Sequence, residues 1–170
     1  SPDGREIVFS GQAINNHGEG ESLLYIIDTQ GGNLRVIPNV TYYMQPAWSP
    51  DGEKIAYVQN EGNDLLNIMT INTDGSNLQQ LTSSGGSGPA WSPDGRKIAF
   101  GSTRDGKKNI YAMNADGSNQ TRLTSNDRDN HSPCWSPDGR MITYSSKDNI
   151  NVYSALEVMN ADGSNPFKII

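Results

Sequence analysis

The sequence predicts an all-β fold, a β-propeller built from four-stranded antiparallel blades, with four repeats of the blade present in its 170 residues. Two turn motifs carry this prediction. The tetrapeptide Ser-Pro-Asp-Gly occurs at residues 1–4, 49–52, 92–95 and 136–139, and a second turn, Asp-Gly-Ser-Asn in its regular form, follows 24 to 29 residues later. A repeat of 43 to 48 residues with turn signals and no helix caps is typical of propeller blades.

A short segment of the form Pro-x-Trp runs directly into three of the four Ser-Pro-Asp-Gly turns. Because the tryptophans are locked to this turn, we expect them to be buried at equivalent positions between neighbouring blades. In both turns proline or aspartate sets the central positions, and glycine accepts the positive φ with which the chain re-enters a strand. The predicted structural residues are Trp48, Trp91 and Trp135 beside the first turn, Asp51, Asp94 and Asp138 within it, and Asp74, Asp116 and Asp162 in the second turn.

Two apolar strands are predicted between the turns of each repeat, such as Ile55–Val58 and Ile68–Ile71. Neither strand alternates between apolar and polar residues, which suits burial on both faces between two neighbouring blades. A third strand, with polar residues such as Gln79 and Gln80, fits an outer edge that faces water. The blades of this single domain (1–170) span approximately 1–39, 40–82, 83–124 and 125–170, and the first lacks its Pro-x-Trp strand.

These motifs resemble the repeat of TolB-type β-propellers, a WD-repeat-like family. The resemblance rests on Trp-Ser-Pro-Asp-Gly, on the Ile-Ala-Phe strand at 98–100, and on Ile-Tyr-Ala-Met-Asn-Ala-Asp-Gly-Ser-Asn at 110–119 closed by Arg-Leu-Thr. It covers the whole chain, and it implies that Pro-x-Trp is the innermost strand and that a complete ring has six blades. The chain is then part of a larger ring, or a unit that completes its ring by association, and open end blades favour self-association.

The same resemblance implies a function. TolB-type propellers are non-enzymatic scaffolds with lipoprotein and Tol-system partners, so we expect a protein or peptide partner bound over the channel face. The expected location is the periplasm or the cell surface of a bacterium. An alternative stays open, because similar repeats occur beside prolyl-oligopeptidase-like hydrolases and in oligogalacturonate-lyase-like proteins. The chain would then be the accessory propeller of a hydrolase, or a carbohydrate-binding propeller.

Composition argues against several other classes. The formal net charge is −6 and the pI about 4.8, which disfavours nucleic acid as a partner. Mean hydropathy is −0.65, and no apolar run approaches the roughly 18 residues needed for membrane insertion. No signal peptide is recognisable in the chain. Cys134 is the only cysteine and stands where other copies have Ala47 and Ala90, so we expect it to be a small, buried apolar residue.

No catalytic residue, metal or cofactor is predicted. The two histidines, His17 and His131, lie outside the repeat consensus, and no nucleophile-elbow pattern accompanies them. Residues 101–108 nearly match a phosphate-binding loop, but they join two strands instead of opening a helix. The segment 127–131 could offer oxygens to a cation. We expect a polar connecting loop there instead, in which Arg128 competes for the carboxylates.

Partner contacts are predicted where the copies differ, because repeats share what the fold needs and diverge where a site can be built. The loops between successive blades fall on one face, around the channel mouth. Adjacent aromatic residues suit partner contact, and the alternative is that the tyrosines cover a blade edge. A second variable segment, the hairpin 12–22 with His17, is expected to be an ordinary solvated loop. The predicted partner-binding residues are Tyr42, Tyr43, Met44, Gln45, Asp127, Asp129 and His131.

Overall fold

The computed structural model describes residues 1–14, 20–38, 40, 43–60, 62, 65–147 and 154–170, without the side chains of Glu21 and Tyr43. The described residues form fifteen strands in four antiparallel sheets, and they contain no helix. The first sheet consists of β1 (Glu6–Ile14), β2 (Gly20–Asp28) and β3 (Arg35–Ile37), and the second of β4 (Tyr43–Trp48), β5 (Lys54–Asn60), β6 (Leu66–Asn72) and β7 (Gln79–Gln80). The third consists of β8 (Ser87–Trp91), β9 (Lys97–Ser102), β10 (Asn109–Asn114) and β11 (Thr121–Arg122), and the fourth of β12 (Asp129–Trp135), β13 (Met141–Lys147), β14 (Ala155–Asn160) and β15 (Phe167–Lys168).

The strands of each sheet lie side by side in chain order, and the sheets stack one after another. Strand β8 contacts β4 and β12 contacts β8, so the first strands of the second, third and fourth sheets line one side of the stack, and we call them the inner strands. Strand β1 of the first sheet contacts β4 and corresponds to β5, so the first sheet has no inner strand. This arrangement confirms the predicted all-β propeller with antiparallel blades. The four sheets form a partial ring, in which the first sheet has three strands and each of the others has four.

Burial along the strands distinguishes the middle sheets from the end sheets. In β5, β6, β9 and β10 at least four consecutive residues are buried, as expected for strands covered on both faces. Strand β13 instead alternates, with Ile142, Tyr144 and Ser146 buried and their neighbours more exposed. No residue of β1 is fully buried. The first and the last sheet therefore each have one face that no other sheet of the chain covers.

The four Ser-Pro-Asp-Gly turns share one hydrogen-bond pattern. In the turn at 92–95, the Ser92 hydroxyl donates to the Asp94 carboxylate over 2.6 Å and accepts from the Lys97 amide over 2.9 Å. The same carboxylate accepts from the Arg96 amide, and the Gly95 amide donates to the Ser92 carbonyl. Gly95 has a φ of +70°, which explains the glycine at this position. The last three turns thus each align an inner strand with the strand that follows it.

The Asp-Gly-Ser-Asn turns are equally regular. Asp74 accepts from both the amide and the hydroxyl of Ser76, and the Asn72 side chain donates to that hydroxyl. The first copy lacks this aspartate, because Gln30 occupies its position. Asp28, two residues earlier, replaces it and accepts from the Gln30 and Gly32 amides.

An apolar cluster fills each of the three gaps between sheets, and one tryptophan packs against each cluster. Trp48 lies between the first and second sheets, Trp91 between the second and third, and Trp135 between the third and fourth. The expectation that these side chains are buried is wrong, because all three are only partly buried. Each indole lines a cavity beside the Ser-Pro-Asp-Gly turns.

Cys134 also differs from expectation, because its side chain is exposed. Trp135 pairs with Ile142 and packs towards the third sheet, so its neighbour Cys134, which pairs with Thr143, points to the opposite face. That face of the fourth sheet is the one that no other sheet covers. In the part of the chain that the structure describes, no helix is long and apolar enough to span a bilayer.

Candidate functional site

The two ends of the sheets have different characters. Strand β4 runs towards a Ser-Pro-Asp-Gly turn, β5 leaves that turn, and β6 returns to the same end, where the Asp-Gly-Ser-Asn turn follows. We call this end the repeated-turn face (residues 1–4, 29–33, 49–52, 73–77, 92–95, 115–119, 136–139 and 161–165). The connections between sheets (81–86 and 123–128) and the hairpin 103–108 lie at the opposite end, the variable-loop face.

The predicted partner-binding residues do not all lie in loops. Met44, Gln45 and the backbone of Tyr43 belong to strand β4, and Asp129 and His131 belong to β12, so the expectation of loop positions is wrong for these five. Each inner strand continues towards the variable-loop face through a β-bulge, at which its pairing register with the next strand shifts. The strands are consequently longer than the Pro-x-Trp motif predicts.

The three bulges occupy equivalent positions directly before proline. Gln45, Gly88 and Ser132 have φ values of +55°, +59° and +54°, a region that only glycine adopts without strain. The Gly88 amide donates to Gln45 Oε1 over 2.7 Å, which joins the second sheet to the third. A Cβ atom on Gly88 would lie 3.8 Å from the Ser132 Cα, so the bulge of the third sheet is adjacent to the bulge of the fourth sheet. The three bulges form a row across the inner strands, which we call the bulge row.

Met44 and His131 flank the bulge row. The Met44 side chain is 48% exposed. His131 is half-buried, and its Nδ1 lies 3.2 Å from the Ser132 hydroxyl. Partial burial, reinforced by the positive charge of Lys108, lowers the pKa of the His131 imidazole, so this side chain is neutral at neutral pH. The bulge row thus presents an apolar thioether, an amide and a neutral imidazole.

The predicted aspartates hold a connection in place. Lys107 Nζ lies 2.5 Å from Asp127 Oδ1 and also donates to the Asp127 carbonyl over 3.0 Å. Asp129 Oδ1 accepts from the Lys108 amide, and the Asn130 amide donates to the Lys108 carbonyl. These contacts fasten the connection 123–128 to the hairpin 103–108. Asp129 is therefore committed to an internal contact, whereas the Asp127 side chain is 95% exposed and remains part of the surface of the variable-loop face.

Arg128 does not compete for these carboxylates. Its Nη1 lies 2.6 Å from Glu157 Oε1 in strand β14, and the Glu157 side chain is only 8% exposed. The Tyr144 hydroxyl donates to the other carboxylate oxygen of Glu157 over 2.8 Å. The buried carboxylate is thus paired with one cation and one hydroxyl, as a buried charge requires.

Sequence reasoning missed a second set of polar residues that anchors the connections between sheets. The Thr82 hydroxyl accepts from the Ile68 amide and donates to Asn67 Oδ1, and that oxygen also accepts from the Gly85 amide. Thr124 and Asn109 repeat the arrangement one sheet later. The available signal was the Leu-Thr pair that closes both repeats, together with an asparagine 15 residues earlier.

Two cavities mark the two faces. A cavity of about 540 Å³ on the repeated-turn face lies between the third and fourth sheets, walled by Trp135, Pro93 and Pro137 and bordered by Asp94, Asp138 and Asp162. A smaller cavity of about 160 Å³ lies on the variable-loop face, bordered by the Gly85–Gly86 connection, Ser102 and Lys108. No group of three or more possible metal ligands occurs among the described residues.

Some predicted residues lie outside the described part of the chain. These are Tyr42 and, in the variable hairpin 12–22, His17 and Glu19. The backbone of Tyr43 belongs to β4, but its side chain is not among those described, and the same holds for Glu21 in β2.

The geometry defines a partial β-propeller, and its structural neighbours include TolB-type propellers. Putative TolB from Agrobacterium tumefaciens has a TM-score of 0.86 and 28% identity, over 99% of this chain and 62% of that one. Puromycin hydrolase has a TM-score of 0.77 at 14% identity, over 100% of this chain and 30% of that one, a likeness that shows the fold alone.

In sequence, 56 residues, 32% of this chain, are 41% identical to a part that makes up 8% of the uncharacterized peptidase YuxL of Bacillus subtilis. No family model matches the chain. The chain spans less than two thirds of the length of each of these three proteins.

Proposed function

We propose that the chain is a non-enzymatic interaction scaffold, which binds a protein or peptide segment over the bulge row of the variable-loop face. The observation that carries the proposal is the contrast between the two faces. On the repeated-turn face the turn aspartates accept repeated internal hydrogen bonds, whereas the bulge row brings the divergent residues Met44, Gln45 and His131 to one end of the inner strands.

The chemistry of the bulge row favours an uncharged or basic ligand. Met44 offers a flexible apolar contact, which suits adaptable protein surfaces. Gln45 and the neutral His131 offer hydrogen-bonding groups without adding charge. The net charge of −6 repels acidic ligands and attracts basic ones at long range, so association slows as salt increases. The likeness to TolB supports a protein partner and, with the sequence resemblance, a location in the periplasm or at the cell surface.

Selection from a random peptide library on the immobilised chain tests the proposal. Replacing Met44 and His131 together by alanine is expected to weaken the binding free energy of the selected peptides by about 2 kcal/mol, roughly a thirtyfold increase in Kd. The reason is that central contacts dominate the energy of an interface. The matched control is Leu78→Ala, which removes a 45% exposed side chain beside the repeated-turn face. Equal losses in both variants would move the binding surface away from the bulge row.

A second candidate function is an accessory propeller that gates or positions substrate for an attached hydrolase. It is favoured by the 41% identity to a stretch of YuxL and by the fold of puromycin hydrolase. The parent reading frame distinguishes the two functions. An adjoining α/β-hydrolase domain with a Gly-x-Ser-x-Gly motif supports the accessory role, and a small α/β domain in its place supports the TolB-like scaffold.

A further inference from the structure

We propose that two copies of this chain associate front to back, with the open face of the first sheet of one copy packed on the open face of the fourth sheet of the other. For every sheet we call the face towards the preceding sheet the leading face and the face towards the following sheet the trailing face. The inference goes beyond the proposed function, because it concerns the two ends of the partial ring and not the bulge row.

The leading face of the first sheet repeats the apolar residues that the other sheets bury. Ile55 and Tyr57 of β5 fill the leading face of the second sheet, and both are 0% exposed. Ile7 and Phe9 hold the same positions in β1, since Ile7 pairs with Ile27 as Ile55 pairs with Ile71. They are 51% and 37% exposed. The pattern also occurs at Ile98 and Phe100 and at Ile142 and Tyr144, which are buried against the preceding sheet.

The trailing face of the fourth sheet carries apolar residues at the positions that, in the second and third sheets, pack on the leading face of the next sheet. Ile68 and Ile110 are buried on the trailing faces of the second and third sheets, and their carbonyls accept the amides of Leu81 and Leu123. The corresponding carbonyl in the fourth sheet belongs to Leu156 and accepts the Ile169 amide. Both of these side chains are exposed there, as is Phe167 beside them.

Turn contacts between sheets also stop at the two ends. A Cβ atom added to Gly52 would lie 3.6 Å from the Pro2 ring, and one added to Gly95 would lie 3.6 Å from the Pro50 ring. Gly139 makes the equivalent approach to Pro93 at 3.7 Å. Gly4, which begins this series, has nothing within 4 Å. In the second turns, Gly117 and Gly163 lie against the Leu81 and Leu123 backbones, and Gly31, the first of that series, has open space. In the proposed contact, Gly4 of one copy would lie against Pro137 of the other, and Gly31 against Ile169, as the equivalent residues do between sheets within the chain.

The pairing must join unlike faces. Every internal interface places a trailing face on a leading face, with small or aliphatic residues of one sheet against the Ile-x-aromatic pair of the next. A contact of this kind between copies is heterologous, so it closes into a ring where the rotation permits and otherwise extends by further copies. A two-copy ring would contain eight sheets, within the range of about four to eight blades found in propellers.

Light scattering coupled to size-exclusion chromatography tests the inference on the 170-residue chain. We expect a mass above the monomer's 18.5 kDa that increases with protein concentration. Phe9→Glu on the leading face and Leu156→Glu on the trailing face should each lower the mass. Leu78→Glu, at a more exposed leucine beside the repeated-turn face, should not. Circular dichroism verifies that each variant folds, and Ile7→Ser provides a milder change on the leading face.

Mixing the two end variants gives the decisive result. The Phe9→Glu chain keeps an intact trailing face and the Leu156→Glu chain an intact leading face, so the mixture is expected to form a one-to-one complex that neither forms alone. A wild-type chain that stays monomeric at every concentration overturns the inference. The same holds if either variant associates as well as wild type, or if two folded variants fail to combine.

Discussion

The indole Nε1 of Trp135 in the fourth sheet donates a hydrogen bond to the Ala90 carbonyl of the third sheet over a distance of 3.1 Å. Trp91 occupies the same position one sheet earlier, but its Nε1 is buried without a hydrogen-bond partner among the described residues. The three tryptophans therefore share a packing position without sharing a hydrogen bond. This difference makes the energetic value of the contact between Trp135 and Ala90 measurable.

We expect Trp135→Phe to lower the free energy of unfolding by about 1 kcal/mol more than Trp91→Phe. Both changes remove similar apolar volume, but only the first breaks a hydrogen bond and leaves the Ala90 carbonyl without its donor. The second removes an unsatisfied N–H group. Urea unfolding of the two variants followed by circular dichroism provides the comparison. Equal losses would show that the inter-sheet hydrogen bond contributes nothing to stability.

Two turn glycines with the same backbone conformation allow strain to be separated from steric conflict. Gly31 and Gly117 have φ values of +85° and +86°, so alanine is strained at either position. A Cβ on Gly117 would lie 2.9 Å from the Leu81 carbonyl oxygen, whereas a Cβ on Gly31 meets nothing within 4 Å. Gly31→Ala is expected to cost about 1–2 kcal/mol and Gly117→Ala distinctly more.

Thermal unfolding compares the stability losses of the two variants. The protein concentration must be one at which the chain is monomeric, because association between copies would place a neighbour beside Gly31 as well. If Gly31→Ala is as harmful as Gly117→Ala under those conditions, the sheet-to-sheet approach at Leu81 is looser than the structure indicates.

The ion pair between Arg128 and Glu157 gives a third prediction. Glu157 stands at the position of Met69 and Tyr111 in the preceding sheets, so a carboxylate has replaced an apolar or aromatic residue in the interface. Burial and the hydrogen bond to Glu157 raise the pKa of the Tyr144 hydroxyl. Removing Arg128 leaves the carboxylate without its counter-charge in a site that is only 8% exposed.

We expect Arg128→Ala to destabilise the chain by about 2 kcal/mol, less than for a fully buried pair because the arginine is partly exposed. In a Glu157→Met background the same change should cost about 0.5 kcal/mol or less, since no buried charge remains. A double-mutant cycle by urea unfolding measures both values. Equal costs in the two backgrounds would mean that Arg128 acts through packing alone.

The strands and turns could be predicted because the same motifs recur in successive repeats. Each Ser-Pro-Asp-Gly turn shows the same hydrogen bonds, so local chemistry determines the corner without reference to the rest of the chain. The role of Asp28 could not be recognised in this way. Its carboxylate accepts the hydrogen bonds of the first copy of the second turn from a position two residues before that of the repeated aspartate.

The candidate site depends on contacts between distant segments, which one sequence does not encode in a visible motif. Gln45, Gly88 and Ser132 share a left-handed conformation but no residue type, and only the proline after each marks the bulge. The contact between Lys107 and Asp127 joins residues 20 positions apart, from a hairpin and a connection of different sheets. Divergence among the copies pointed to one end of the molecule, but it did not indicate which side chains are free there.

Acid should weaken the turns before it affects the apolar clusters. A hydrogen bond from Ser92 and the Arg96 amide hold the pKa of Asp94 below its ordinary value of 3.8, and the equivalent aspartates of the other turns behave in the same way. The pKa of this carboxyl is lower in the folded chain than in the unfolded chain. The ionised carboxylate therefore stabilises the fold fully at pH values above the unfolded-state pKa. This contribution is lost as the pH falls through the lowered folded-state value.

Asp94→Asn keeps an oxygen that can accept from Ser92 but removes the charge, so its stability deficit relative to wild type should be largest near neutral pH. The deficit should begin to shrink as the pH falls below about 4, where the aspartate of the unfolded wild-type chain starts to bind a proton, and should shrink further as the folded-state carboxylate is protonated at lower pH. Urea unfolding midpoints of both chains between pH 7 and pH 3 follow the difference. Gln79→Ala, which removes no carboxylate, should keep a constant offset from wild type over the same range. A deficit of Asp94→Asn that is independent of pH would show that the carboxylate acts in the turn through its shape and not through its charge.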